Sequence, residues 1–209
     1  MLNKLSVFFM LLCFYEADAQ LVADSVFYVD GQLKEVGKLE EGTRNGLWKW
    51  YYPDGTLGAE ITYKTNNIEG LRLIYDFSGR LIEKETWAGN AKQDSSWYFY
   101  PNGQLHKKGQ YFNDLYVGEW QHFSEAGKLI RKGNYTNGLP TGYWQFWYDD
   151  GTLWMEGNFV DGKEEGNWKS YRTDGSLEYE GRYKQGIKVE PWYYIKPNGK
   201  RKRYKPDEN

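Results

Sequence analysis

The chain has 209 residues, with 27 Lys or Arg against 29 Asp or Glu, one cysteine, 24 glycines and 19% aromatic residues. So nearly neutral a chain lacks the positive field on which nucleic-acid affinity rests, and no nucleic-acid partner is expected. One cysteine excludes a disulfide framework, while the excess of flat side chains and glycine favours strands and tight turns over helices.

The opening "MLNKLSVFFMLLCFYEADAQ" carries Lys4, an apolar run over residues 5–15 and a small-x-small site at Ala17-Asp18-Ala19. It reads as a signal peptide over residues 1–19, cleaved after Ala19, because the apolar run falls short of the about 20 residues a membrane span needs. The mature domain is then 20–209, secreted or periplasmic, without the cysteine. The alternative is a lipoprotein acylated at Cys13, and Leu12 disfavours it by standing where Gly, Ala or Ser is usual.

From residue 31 onward, glycine recurs every 24 residues, at Gly31, Gly55, Gly79, Gly103, Gly127, Gly151, Gly175 and Gly199. A fixed period of this length marks a repeat architecture in one continuous array. Other positions keep the phase. Leucine stands two residues after each anchor from Leu33 to Leu177, and tryptophan seven before at Trp48, Trp120, Trp144, Trp168 and Trp192. Arg72 and Ser96 occupy that phase in the two exceptions.

Asp or Asn precedes most anchors, and Pro53, Pro101 and Pro197 stand two before. Each anchor therefore marks a hairpin turn, and proline followed by a left-handed glycine favours the three-residue loop over the two-residue one. That loop places Tyr51 across from Leu57 and Phe123 across from Leu129. On the returning strand Leu129, Gly133 and Tyr135 alternate with Lys128, Ile130, Lys132 and Asn134, which predicts one wet face. Trp120 and Phe123 are three apart, so either a bulge reunites them or the tryptophans cover the second face. Seven units in one sheet are expected to run about 65 Å, with the choice between open array and closed barrel left open.

The segments "GEWQHFSEAGKLIRKGNYTNG", "GYWQFWYDDGTLWMEGNFVDG" and "GNWKSYRTDGSLEYEGRYKQG", starting at Gly118, Gly142 and Gly166, resemble the MORN repeat variant. The resemblance implies an all-β, elongated single-sheet array of about seven hairpins that serves as a binding or scaffolding surface. It also brings an antitoxin-like label (YwqK-type) and an association of MORN proteins with membrane lipids and assembly. The copy containing Arg72, Asp94 and Ser96 departs from the pattern by losing tryptophan and glycine landmarks. These three residues form a candidate interaction patch, and restoring Arg72→Trp with Ser96→Trp is expected to raise the melting temperature.

No enzyme is expected. His106 and His122 sit at different repeat phases, so nothing places them on one metal. Glu60, Glu156 and Glu180 share a phase with Lys84, Lys108 and Lys132, a charged ladder rather than an acid and base pair. Neither a cofactor nor a metal is expected. The basic end, with Lys200, Arg201, Lys202 and Arg203, reads either as an anion-contacting end or as a charged edge that prevents further strand pairing, the latter being favoured. The expected function is a scaffold for an unknown protein partner, as a monomer or weak oligomer. The alternatives are a module holding envelope lipid or glycan and an antitoxin-like inhibitor.

Overall fold

The computed structural model describes residues 22–204, which form seventeen strands. The signal peptide, its cleavage after Ala19 and the Cys13 alternative lie outside these residues. Every registered pairing is antiparallel and joins strands close in sequence. The series runs from Val22–Phe27 against Leu33–Glu40 to Ile187–Ile195 against Arg201–Tyr204. The sheet is an open meander.

Two turn types alternate along its margins. At the anchors, the Tyr52 N–H donates to the Thr56 carbonyl and the Gly55 N–H to the Tyr52 carbonyl, at 2.8 and 2.9 Å. Pro53, Asp54 and Gly55 are thus the expected three-residue loop, and Gly55 takes the left-handed conformation at φ 86°. The pairs Tyr51 with Leu57 and Phe123 with Leu129 follow as predicted. On the opposite margin the turns are two-residue loops with both central residues at positive φ, such as Asn137 and Gly138. They pair directly with the twist of the flanking strands.

The tryptophan phase is shaped by a bulge. Gly133 alone faces the three residues Gly142, Tyr143 and Trp144, since Lys132 pairs with Gln145 and Asn134 with Thr141. The same insertion recurs opposite Gly37, Gly109, Gly157 and Gly181. It lays each indole flat on the glycine of the preceding strand: a Cβ added to Gly133 would lie 2.1 Å from Trp144 Cδ2. The indole N–H then donates to the carbonyl just after that glycine, as Trp120 does to Gln110 at 3.0 Å. Trp48, Trp120, Trp144, Trp168 and Trp192 are all buried.

This bulge does not bring Trp120 and Phe123 together. Cross-strand partners share a face, and Trp120 opposes Gly133 while Phe123 opposes Leu129. The tryptophans seven before the anchors take one face; the bulky residue four before, such as Tyr51, Phe123 or Trp147, takes the other, with the charged ladder. A register shift between His122 and Phe123 likewise separates Leu129 from Gly133 and Tyr135, which the simple alternation had placed together.

Consecutive copies are tied at both margins. The hydroxyls of Tyr28, Tyr52, Tyr100 and Tyr148 donate to the carbonyls of Tyr51, Tyr75, Phe123 and Tyr171, each 23 residues on, at 2.8 to 2.9 Å. At the opposite margin the Gly138 N–H reaches the Tyr116 carbonyl at 3.0 Å, and Gly162 reaches Pro140 likewise. Stability is built from such nearest-neighbour links.

Candidate functional site

The tryptophan face carries a chain of aromatic contacts, edge-to-face except for the tilted Tyr116–Trp120 pair. It runs from Tyr111 through Trp120, Tyr135, Trp144, Phe159, Trp168 and Tyr183 to Trp192, with Tyr116 bridging Trp120 and Tyr135, and its ring centroids are 4.1 to 5.7 Å apart. Each such pair contributes about 0.5–1.5 kcal/mol beyond area burial. A shorter cluster of Trp48, Trp50 and Tyr63 lies nearer the start, with the Arg44 guanidinium 4.3 Å from the Trp48 ring.

Between the two stretches the face turns polar, and the reason is legible in the pairing of phases. Ile61 and Glu85 stand where the other copies have the tryptophan-covered glycine, and Arg72 and Ser96 where they have the tryptophan. Glycine and tryptophan are lost together because each is required by the other. Glu85 is fully buried and accepts from Arg72 at 2.6 Å, Tyr98 at 2.6 Å, Trp87 at 2.9 Å and Lys92 at 2.9 Å. Burial alone would raise its pKa, but the hydrogen bonds from Tyr98, Lys92 and Trp87 outweigh it and hold the carboxylate down to about 2. Tyr111 adds a second tyrosine, its hydroxyl 3.0 Å from that of Tyr98. Lys92 lies 5.8 Å from the Trp87 ring and 5.1 Å from that of Tyr111, so a cation carries the ladder across the gap.

The structure therefore redistributes the predicted patch of Arg72, Asp94 and Ser96. Ser96 is buried, with its hydroxyl unpartnered, and Arg72 is held by Glu83 and Glu85, so both belong to the interior of this cluster. Asp94 is exposed and occupies, at φ 60°, the left-handed bulge position that Gly46, Gly70, Gly118, Gly142 and Gly166 fill in other copies. Sequence reasoning missed Glu85, Lys92 and Tyr98; the glutamate's presence at a glycine phase was the available signal.

His122 continues the polar stretch. It is buried, its Nδ1 is 3.4 Å from Arg131 Nη2 and its Nε2 has no partner. Burial, followed by the charges of Arg131 and Lys107 and the nearby His106, pushes its pKa down to about 3. A histidine held neutral stabilises the fold fully above its unfolded pKa of about 6.5, and that contribution is lost as pH falls towards 3. His122→Phe, which copies Phe146 one unit on, is expected to spare about 2 kcal/mol of the stability lost between about pH 6.5 and 4.5. Urea titrations of both proteins across that range test this, and parallel losses in the two would assign the acid sensitivity elsewhere.

On the other face the charged ladder is realised. Lys49 and Glu60 are 3.0 Å apart, Tyr75 donates to Glu60 at 2.9 Å and Tyr171 to Glu156 at 2.7 Å. Among the described residues no group of three or more His, Cys, Asp or Glu side chains is gathered as for a metal ion. At the basic end, Arg201 pairs with Glu180 at 2.7 Å and stacks 3.6 Å from the Tyr193 ring centroid, and Arg203 pairs with Glu190. Lys200, beside the last turn, and Lys202 are exposed. Along the margin of two-residue turns, large apolar side chains stand in the open at Phe112, Leu115, Leu139, Val160 and Ile187.

The family model described as the MORN repeat variant matches residues 44–65, 98–113, 116–137, 140–161 and 164–185. The unmatched interval 66–97 is the one that contains Arg72, Glu85, Asp94 and Ser96. No curated protein matches the chain. Among solved structures, the chain is 15% identical to one titled "Crystal Structure of TcdB2-TccC3-Cdc42", with a TM-score of 0.25, covering 88% of this chain and 12% of that one. A second, "Crystal Structure of TcdB2-TccC3-TEV", is 13% identical with a TM-score of 0.26, covering 87% and 12%. The chain thus spans only 12% of the length of these structures, and such distant likenesses carry no argument here.

Proposed function

The chain belongs to the MORN repeat variant family, whose repeats are protein- or membrane-binding modules, and from that premise we propose that it is a non-enzymatic scaffold that holds a protein partner along successive copies. The row of exposed apolar side chains on one margin supports this reading best. Exposure runs from 46% at Leu115 to 69% at Ile187, with Leu139 at 50%. These three share one repeat phase. Leu115 and Leu139 are two strands apart, about 10 Å. Each leans on the next turn: a Cβ on Gly138 would lie 3.4 Å from Leu115, and one on Gly162 3.4 Å from Leu139. Lys163 holds this phase in the copy between Leu139 and Ile187, where Val160 is exposed beside it, so an elongated partner gains an apolar contact along the whole row.

A secreted or periplasmic location, expected from residues 1–19, forms part of the proposal, and a mature mass beginning at Gln20 is its check. The binding reading is tested with a photo-crosslinking residue placed in turn at 115, 139 and 187, and at 54 and 150 on the other margin. One shared partner from the first three sites and none from the last two is expected, with Leu139→Glu weakening capture at all three. Capture of anionic lipid vesicles instead, lost with added salt, would favour the membrane alternative.

A further inference from the structure

The row of side chains just ahead of the anchor loops on the tryptophan face contains a gap. Five residues before the anchors stand Trp50, Ile74, Tyr98, His122, Phe146, Ser170 and Tyr194, so serine appears once among larger groups. Register places Ser170 between Met155 and Tyr179, on the same face as Phe146. One copy earlier, Phe146 lies with its ring 5.9 Å from Trp144 and 6.4 Å from Trp168. A ring at 170 would be flanked by Trp168 and Trp192 in the same way. In its place is a cavity of about 330 Å³, bordered by Trp168, Ser170, Tyr179, Tyr183, Lys188 and Trp192.

We propose that the notch at Ser170 receives the aromatic side chain of a protein partner, which completes the ladder from outside. The fold itself defines the occupant, since the preceding copy shows which group fills this frame. A cationic ligand is disfavoured because the Lys188 ammonium already stands 5.0 Å from the Trp192 ring. Lys188 opposes Tyr183 on the tryptophan face while the adjacent Ile187 opposes Lys184 on the other, so the notch and the exposed row are separate surfaces. The occupant's being a protein rests on the scaffold reading above; the notch rests on its own geometry. A buried aromatic anchor of this kind is where binding energy concentrates.

The test is titration of the full chain with N-acetyl-phenylalaninamide, read at the indole N–H resonances of Trp168 and Trp192. N-acetyl-alaninamide serves as the blank and tetramethylammonium as the cationic probe. Saturable shifts with the phenylalanine amide alone are expected. Ser170→Phe should fill the notch in cis, raise the melting temperature and weaken the fragment at least about tenfold, which is 1.4 kcal/mol. Ser170→Leu, a smaller filler, should also weaken it if the phenylalanine variant does not fold. Shifts with tetramethylammonium, no saturation with the phenylalanine amide, or undiminished binding in the filled variant would overturn the proposal. Leu139→Glu should leave these shifts intact, so failure of the margin reading and failure of the notch are separable.

Discussion

Gly133→Ala is expected to destabilise the protein by about 3–5 kcal/mol, the range for losing a large buried aromatic. A Cβ at that position would sit 2.1 Å from Trp144 Cδ2 and 2.2 Å from Cε2, well inside contact distance. The backbone is pinned on both sides of the ladder, so the indole has to leave. It would give up its N–H bonds to Asn134 and Thr141 and its packing against Tyr135 and Phe159. For a domain of this size the loss corresponds to a melting temperature lower by about 6–20 °C. Denaturant titration with tryptophan emission reads both the loss and the exposure of the indole. Gly151→Ala is the comparison, because that glycine has open space around it and only its φ of 94° to lose. A Gly133→Ala cost no greater than the Gly151→Ala cost would show that the indole is not held by the glycine.

Glu85→Gln is expected to cost about 3–5 kcal/mol at neutral pH, the penalty for leaving buried partners of an ion cluster uncompensated. Arg72 and Lys92 both point at this carboxylate, and Tyr98 and Trp87 donate to it. Because its folded pKa is depressed, its contribution is present above about pH 4.5 and lost as pH falls towards 2. The same geometry revises the expectation that Arg72→Trp with Ser96→Trp raises the melting temperature. Elsewhere the tryptophan at this phase lies where a Cβ would be, so at 96 it would meet the Glu85 side chain. Ser96→Trp alone should destabilise, whereas Ser96→Trp with Glu85→Gly should recover a regular copy. Arg72→Trp stands in the same relation to Ile61→Gly. Equal stability of the single and paired variants would sink this account.

How much of this was legible beforehand depended on distance along the chain. The phase of Gly103 and its counterparts, the left-handed turn glycine and the Tyr51 to Leu57 pairing are all settled within a loop of a few residues, so they appear in the sequence. The face taken by Trp120 relative to Phe123 was left as two alternatives. Within the strand, simple alternation puts the two on opposite faces, whereas the seating of the indole on Gly109 depends on three residues opposing one across a strand boundary, which alternation does not encode.

The reading of Arg72, Asp94 and Ser96 as an outward patch treated lost landmarks as vacancies. In the fold Ser96 is interior, and Arg72 answers Glu85, thirteen residues on, because the two are direct cross-strand partners. The 24-residue period, the all-β class and the turn chemistry were determined by sequence alone, because hydrogen bonds across a short loop need only the residues in it. Which side chains share a face, and that a buried glutamate replaces an indole in the middle of the ladder, were decided only by tertiary structure. Those contacts join residues 10 to 23 apart, and their geometry exists only once neighbouring strands have closed on one another.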